Sequence, residues 1–83
     1  MYKVRIERKI QKKLLKISEP NYSNLKLAIL DLGNDPRPFG YKKLKGRSGY
    51  RIRYGDYRVL YDINDDVFIV DIIEIGNRKD IYN

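Results

Sequence analysis

Two alternating segments joined at Gly55-Asp56 contain the side chains best suited to chemistry, three arginines: Arg51, Arg53 and Arg58. An arginine guanidinium stays protonated and donates paired hydrogen bonds to phosphate oxygens, so a group of three favours binding of a phosphodiester. Residues 37–58 hold eight basic residues and a single acid, Asp56, and the whole chain has a formal net charge of +7. This concentrated positive charge predicts a polyanionic partner, nucleic acid above all.

The composition excludes several classes of chemistry. The chain has no Cys and no His, so disulfides, thiolate catalysis and histidine acid–base catalysis are excluded, and a zinc or iron site is nearly so. We therefore expect no cofactor. Its 83 residues predict a single domain, 1–83. No apolar run approaches the ~20 residues of a membrane span and no signal-peptide core follows Met1, so we expect a cytoplasmic protein without a membrane partner.

The first 36 residues predict one strand and two helices. Tyr2, Val4 and Ile6 alternate with charged side chains, which is typical of a strand with one buried face. The apolar spacing then becomes helical over residues 7–17 and again over residues 21–32. Ser18 is a candidate N-cap for the second helix, with Pro20 tolerated in its first turn. The short connection predicts that the two helices pack as an antiparallel hairpin.

The rest of the chain predicts strands. Residues 42–45 suit a short strand, residues 49–54 and 57–62 alternate clearly, and residues 67–75 form a nearly continuous apolar run that suits a central strand. The predicted fold class is therefore α+β: a short N-terminal strand, an antiparallel helical hairpin, and an antiparallel β-meander that forms one sheet. The helices would cover one face of the sheet and leave the other free.

A two-residue turn at Gly55-Asp56 would fix the register of the first β-hairpin. It pairs Arg53 with Arg58, and every other pair follows from it. Facing residues share one side of a sheet, so the three arginines lie together, opposite an apolar face that holds four tyrosines: Tyr50, Tyr54, Tyr57 and Tyr61. The direct Arg53–Arg58 pair joins like charges and costs stability, which favours a functional role.

The second hairpin has a predicted turn centred on Asn64-Asp65. This turn pairs Tyr61 with Phe68, Val59 with Val70 and Tyr57 with Ile72, and it continues the apolar face without a slip. The same register places Arg58 opposite Asp71. An ordinary Arg58–Asp71 ion pair, with Arg51 and Arg53 solvated, is the structural alternative to a phosphate site.

Four segments together resemble the RelE toxin family of the RelE/ParE superfamily. They are Asp35-Pro36-Arg37-Pro38, Lys43-Leu44-Lys45-Gly46, the run over residues 49–61, and Gly76-Asn77-Arg78-Lys79-Asp80-Ile81-Tyr82. The resemblance covers the whole chain in element order and length. It implies a type II toxin that enters the ribosomal A site and cuts mRNA without a metal, as an endoribonuclease (mRNA interferase). It also implies an acidic antitoxin that wraps the toxin in a hetero-oligomer.

The resemblance also implies roles for individual residues. By position, the family's functional residues match Arg51, Arg53, Arg58, Arg78 and Tyr82. The ribose 2′-OH would attack the adjacent phosphate and displace the 5′-oxygen, and Arg58 and Arg78 would stabilise the charge that develops. Arg53 would bind a phosphate, and Tyr82 would stack on a base or hydrogen-bond near the ribose, although a core or antitoxin-facing position is as plausible for it.

Further basic residues have less specific roles. Lys43, Lys45 and Arg37 are candidates for RNA or phosphate binding. One face of the first predicted helix is also basic, and it either is simply solvated or contacts ribosomal RNA through four lysines: Lys9, Lys12, Lys13 and Lys16.

The general base is not evident from the sequence. Some RelE proteins have lysines at the positions of Arg51 and Arg53, and many have His at the position of Asn77. Arginine does not serve as a base. Orientation of the 2′-OH without a base is the first choice, and Glu74, Asp80 and Tyr82 are the other candidates. Two competing functions stay open: a ParE-like DNA gyrase inhibitor, and an inactive relative that only binds antitoxin.

Overall fold

A computed structural model describes residues 1–77 and contains two helices and one five-stranded sheet. The elements follow in the order β1 (Lys3–Ile6), α1 (Arg8–Leu15), α2 (Asn21–Asp31), β2 (Lys42–Lys43), β3 (Tyr50–Tyr54), β4 (Tyr57–Asn64) and β5 (Ile69–Asn77). The predicted α+β fold class is confirmed. Among the described residues, no helix is long and apolar enough to cross a membrane.

The sheet is mixed, with strand order β1-β5-β4-β3-β2. β2 to β5 form the predicted antiparallel meander, and β1 pairs parallel to β5 with Val4 beside Val70. β5 therefore lies inside the sheet, as its apolar sequence predicts. One core joins the helices to one face of the sheet, here termed the helix face, through fully or nearly buried side chains: Ile10, Leu14, Leu25, Ile29, Leu32, Ile52, Val59, Tyr61, Val70, Ile72 and Ile75.

The start of α2 differs from its prediction. Ser18 is not the N-cap; Pro20 occupies that position, and it makes no side-chain capping bond. The Glu19 carboxylate instead accepts hydrogen bonds from the Ser23 backbone N–H at 2.8 Å and the Ser23 hydroxyl at 2.6 Å. A carboxylate reaches free amides of the first turn as a serine hydroxyl would, and it also complements the helix dipole.

The first hairpin has the predicted register. Arg53 pairs with Arg58, Tyr54 with Tyr57 and Arg51 with Leu60, and Gly55 adopts a φ of +57° in the two-residue turn. Positive φ is nearly free of cost for glycine, so this turn fixes the register strongly.

The predicted register of the second hairpin is wrong. Tyr61 pairs with Ile72 rather than Phe68, because the loop spans residues 65–68 and not Asn64-Asp65. The Asn64 side-chain oxygen holds this longer loop by accepting the Asp66 backbone N–H at 3.0 Å. The register moves by four residues, an even number, so each apolar side chain of this part stays on its predicted face.

A β-bulge further changes the pairing of β4 with β5. The ladder runs from Tyr61–Ile72 to Leu60–Glu74, so Ile73 is the extra residue on β5. Beyond the bulge Arg58 faces Gly76, and the predicted Arg58–Asp71 pair is wrong. Asp71 is held instead by Arg5 of β1, whose Nε lies 2.7 Å from its Oδ1.

The buried hydroxyl of Tyr61 ties the loop before β2 to the core. It donates a 2.8 Å hydrogen bond to the Pro36 carbonyl oxygen, and the Tyr61 side chain is 0% exposed. We expect Tyr61→Phe to lower the free energy of unfolding by about 1–2 kcal/mol, because it leaves a carbonyl without its donor. Urea unfolding measures the change, with Tyr57→Phe as control, since the Tyr57 hydroxyl bonds to none of the described residues.

The same burial makes this tyrosine sensitive to alkali. It raises the pKa of Tyr61 to about 12 from its ordinary value near 10. The neutral form is favoured in the folded state, so its stabilisation is complete below pH 10 and is lost as pH rises towards 12. Tyr61→Phe should therefore remove part of the loss of stability over this range. If Tyr61→Phe loses as much stability between pH 10 and 12 as the unmodified protein, this role is contradicted. It is also contradicted if Tyr57→Phe lowers the free energy of unfolding in urea as much as Tyr61→Phe does.

Candidate nucleic-acid interface

Three arginines share the sheet face opposite the helix face, here termed the arginine face, as the hairpin register predicts. They differ in exposure along the face: Arg53 is exposed, Arg51 is half-buried and Arg58 is only 5% exposed. Leu60, also buried, follows Arg58 on this face, and Gly76 lies across from Arg58 without a side chain. A guanidinium shielded from water interacts with an anion more strongly than a solvated one.

Two further cations adjoin the arginine face and were not among the predicted site residues. Lys42 pairs with Arg51 and so shares its face, and Arg47 lies in the loop between β2 and β3. Lys42 could have been predicted only from the register of β2 with β3, and the sequence of the short segment 42–45 does not determine that register. With the predicted Lys43 and Lys45, they line a cleft of about 520 Å³ beside Arg51 and Leu60, here termed the β2 cleft.

Arg37 and Lys43, which the sequence predicts as phosphate ligands, both lie against the ring of Tyr50. Lys43 pairs with Tyr50, which packs against the core, and its Nζ lies 5.2 Å from the centre of the Tyr50 ring. Arg37 lies 5.4 Å from the same ring and binds the Asp65 carboxylate at 3.0 Å. This hydrogen bond raises the pKa of Arg37 and lowers that of Asp65. Arg37 thus contacts Tyr50 away from the three arginines, whereas Lys43 both contacts Tyr50 and lines the β2 cleft.

A second cleft, of about 560 Å³, lies between α1 and residues 73–76 of β5. It is here termed the α1 cleft, and its basic residues are Lys9 and Lys13 of α1, Lys16 at the C-cap of α1, and Arg47. Arg47 and Leu60 line both clefts, so the lysines of α1 and the arginine face form one continuous basic surface. Arg78 and Tyr82, the remaining predicted site residues, lie outside the described residues.

This surface is suited to an extended polyanion and, within residues 1–77, not to a metal ion. No group of three or more His, Cys, Asp or Glu side chains within residues 1–77 could hold a metal ion. The three arginines lie on paired strands, and cations fixed in this way bind phosphates and stabilise negative charge as it develops.

Fold and site together define a small α+β protein with a basic sheet face. The family model described as the ParE toxin of the type II toxin–antitoxin system parDE matches residues 4–82. A curated protein of Methanocaldococcus jannaschii that carries the name toxin RelE1 is 33% identical over 85 residues, which cover 98% of this chain and 94% of the relative.

Solved structures of RelE toxins share the fold. The archaeal RelE–RelB complex from Pyrococcus horikoshii matches with a TM-score of 0.82 and 30% identity, covering 93% of this chain and 94% of that one. The RelBE2 toxin–antitoxin complex from Mycobacterium tuberculosis matches with a TM-score of 0.79 and 26% identity, covering 93% and 98%. The chain therefore belongs to the RelE family of type II toxin–antitoxin toxins, within the RelE/ParE superfamily.

Proposed function

We propose that this toxin is a ribosome-dependent mRNA endonuclease that needs no metal. The observation that supports this most directly is the common face of Arg51, Arg53 and Arg58, with Arg58 almost fully shielded from water. Cleavage by 2′-OH attack passes through a phosphorane that carries extra negative charge, and fixed cations in a shielded site stabilise such charge.

The residues would divide the work as follows. Arg58, with Arg78, stabilises the developing phosphorane, and Arg53 holds the scissile or a flanking phosphate. Arg51 binds the next phosphate, and Tyr82 stacks on a base of the mRNA. The basic walls of the β2 cleft and the α1 cleft bind the backbone of ribosomal RNA or mRNA.

The experiment that tests the function is translation of a defined mRNA in a cell extract with purified toxin, followed by mapping of the cut sites. The proposal is supported if the cuts are in phase with codons and appear only when ribosomes are present. Inhibition of supercoiling by DNA gyrase, without cuts in the mRNA, supports the ParE-like alternative. The matching family model is described as a ParE toxin, which is why this alternative is tested. Neither effect would indicate an inactive relative that only binds antitoxin.

We also propose an acidic antitoxin as the partner of the free toxin. RelE relatives form complexes with RelB in solved structures, and the net charge of +7 on this chain complements an acidic segment. A bound antitoxin also stabilises the toxin by mass action, by about 4 kcal/mol at a thousand times its Kd.

Cleavage should depend only weakly on pH between about 6 and 8. Histidine is the side chain whose ordinary pKa falls in this range, and none of the 83 residues is a histidine. We expect the single-turnover rate on programmed ribosomes to vary by less than about threefold over this range. A sharp bell-shaped profile centred near pH 7 would contradict the prediction.

A further inference from the structure

The bulge in β5 brings a carboxylate onto the arginine face. Strict alternation along β5 would place Glu74 beside Ile72 on the helix face, where a carboxylate would be buried against the core. The extra residue Ile73 shifts the pairing by one, so that Glu74 faces Leu60 and Ile75 enters the core instead. Bulges commonly re-aim a side chain in this way next to active sites.

Glu74 is held in place by two hydrogen bonds to a single oxygen. Its Oε1 accepts the Lys13 ammonium of α1 at 2.5 Å and the Ile75 backbone N–H at 3.1 Å. Its other oxygen, Oε2, accepts no hydrogen bond from residues 1–77, and the side chain is 36% exposed. One oxygen therefore fixes the carboxylate, which lines the α1 cleft, while the other has no hydrogen-bond donor among residues 1–77.

The carboxylate is well placed relative to Arg58. Leu60–Glu74 and Arg58–Gly76 are alternate pairs of the same ladder, so Glu74 is the diagonal neighbour of Arg58, at about 7–8 Å for such positions. A spacing of this size between strand positions places both residues within reach of one nucleotide. The other carboxylates on the face, Asp62 and Asp71, lie farther along the ladder, and Asp71 is bound to Arg5.

We propose that Glu74 is the general base of this toxin, positioned by Lys13, an inference that rests on the proposed ribonuclease function. Oε2 accepts the proton of the ribose 2′-OH as the O2′–P bond forms and the P–O5′ bond breaks. A water molecule protonates the departing 5′-oxygen, and Glu74 then releases its proton to solvent. The products are a 2′,3′-cyclic phosphate and a 5′-hydroxyl. Lys13 is a positioning residue in this step, since its ammonium bonds to the carboxylate of Glu74 and not to the reacting atoms.

Two substitutions separate a base from a merely structural ion pair. Glu74→Gln and Lys13→Met both remove the Lys13–Glu74 ion pair, but only Glu74→Gln removes the proton acceptor. Single-turnover cleavage should be measured on ribosomes programmed with a defined mRNA, at saturating toxin, with Glu7→Gln as a matched control. Glu7 is an exposed residue at the N-cap of α1 that makes no side-chain capping bond.

We expect Glu74→Gln to slow the chemical step by about 100-fold or more, with ribosome affinity within about twofold of the unmodified toxin. Lys13→Met should slow it about tenfold or less, and Glu7→Gln should leave it unchanged. An mRNA with a sulfur in place of the scissile 5′-oxygen provides the decisive readout. The Glu74→Gln defect should persist on this substrate, because a good leaving group relieves the loss of a general acid but not that of a base.

Equal losses in Glu74→Gln and Lys13→Met would overturn the proposal, since a structural ion pair predicts that result. A Glu74→Gln rate within threefold of the unmodified rate, or a defect relieved by the sulfur leaving group, would also overturn it. If the unmodified toxin produces no cuts, the ribonuclease function itself fails, and the assignment of Glu74 fails with it. Cuts by the unmodified toxin together with any of the first three results refute Glu74 alone.

Discussion

Arg58→Ala is expected to reduce the single-turnover rate of mRNA cleavage by about 10² to 10³-fold, the usual effect of removing one fixed donor from a site that stabilises developing charge. Arg58 is only 5% exposed, so its guanidinium meets the phosphorane with little competition from water. Ribosome affinity should change far less than the rate, because the exposed cations of the two clefts contribute most of the binding. Rates and affinities on programmed ribosomes measure both effects.

The control for this prediction is Arg8→Ala, which removes an exposed arginine at the start of α1 and should leave cleavage unchanged. Arg58→Lys keeps the charge and loses the paired donors, so its rate should lie between those of Arg58→Ala and the unmodified toxin. The fold of each variant is checked by circular dichroism. A folded Arg58→Ala toxin that cleaves at the normal rate would refute the site assignment.

The double variant Arg51→Gln with Arg53→Gln should weaken binding to programmed ribosomes by about 100-fold or more, since charge-assisted hydrogen bonds are the strong ones. The two side chains lie at the accessible end of the arginine face, half-buried and exposed respectively. Each lost phosphate contact should also reduce the slope of log affinity against log salt by about 1, so the double variant should lose about 2.

A charge-matched double variant, Lys3→Gln with Lys26→Gln, controls for general electrostatics. Lys3 is on β1, the strand farthest from β3, and Lys26 is on α2, and both are exposed. This control should reduce affinity by much less and leave the salt slope nearly unchanged, whereas equal effects of the two double variants would indicate nonspecific attraction alone. Arg51 and Arg53 would then have no specific role in phosphate binding.

The sequence predicted the arginine face because one local feature determines it. A two-residue turn with glycine at positive φ admits a single hairpin register, and the register decides which side chains share a face. Between the loop and the bulge, the apolar face of the second hairpin was also predicted correctly, although its pairing was not; beyond the bulge the predicted alternation is wrong, and Ile75 lies on the helix face. A shift of four residues preserves alternation, so the hydrophobic pattern agrees with both registers and cannot distinguish them.

Other parts of the site depend on long-range contacts that alternation does not encode. The bulge at Ile73 forms where β5 must keep both Ile72 and Ile75 in one core, which only the assembled sheet and helices require. The approach of Lys13 to Glu74 joins residues 61 positions apart in the chain. Lys42 and Arg47 likewise come next to Arg51 only through the pairing of a two-residue strand. Sequence patterns therefore identify the arginines better than their neighbours.

The parallel pairing of β1 with β5 has a consequence for the synthesis of this toxin. The first strand finds its partner only at residues 69–72, and β5 also supplies Val70, Ile72 and Ile75 to the core beneath the helices. A nascent chain that lacks β5 has no partner strand for β1 and an incomplete core, because such long-range pairing forms late. Incomplete chains would thus contain no folded toxin. A chain truncated before Ile69 should remain unfolded and should not be toxic.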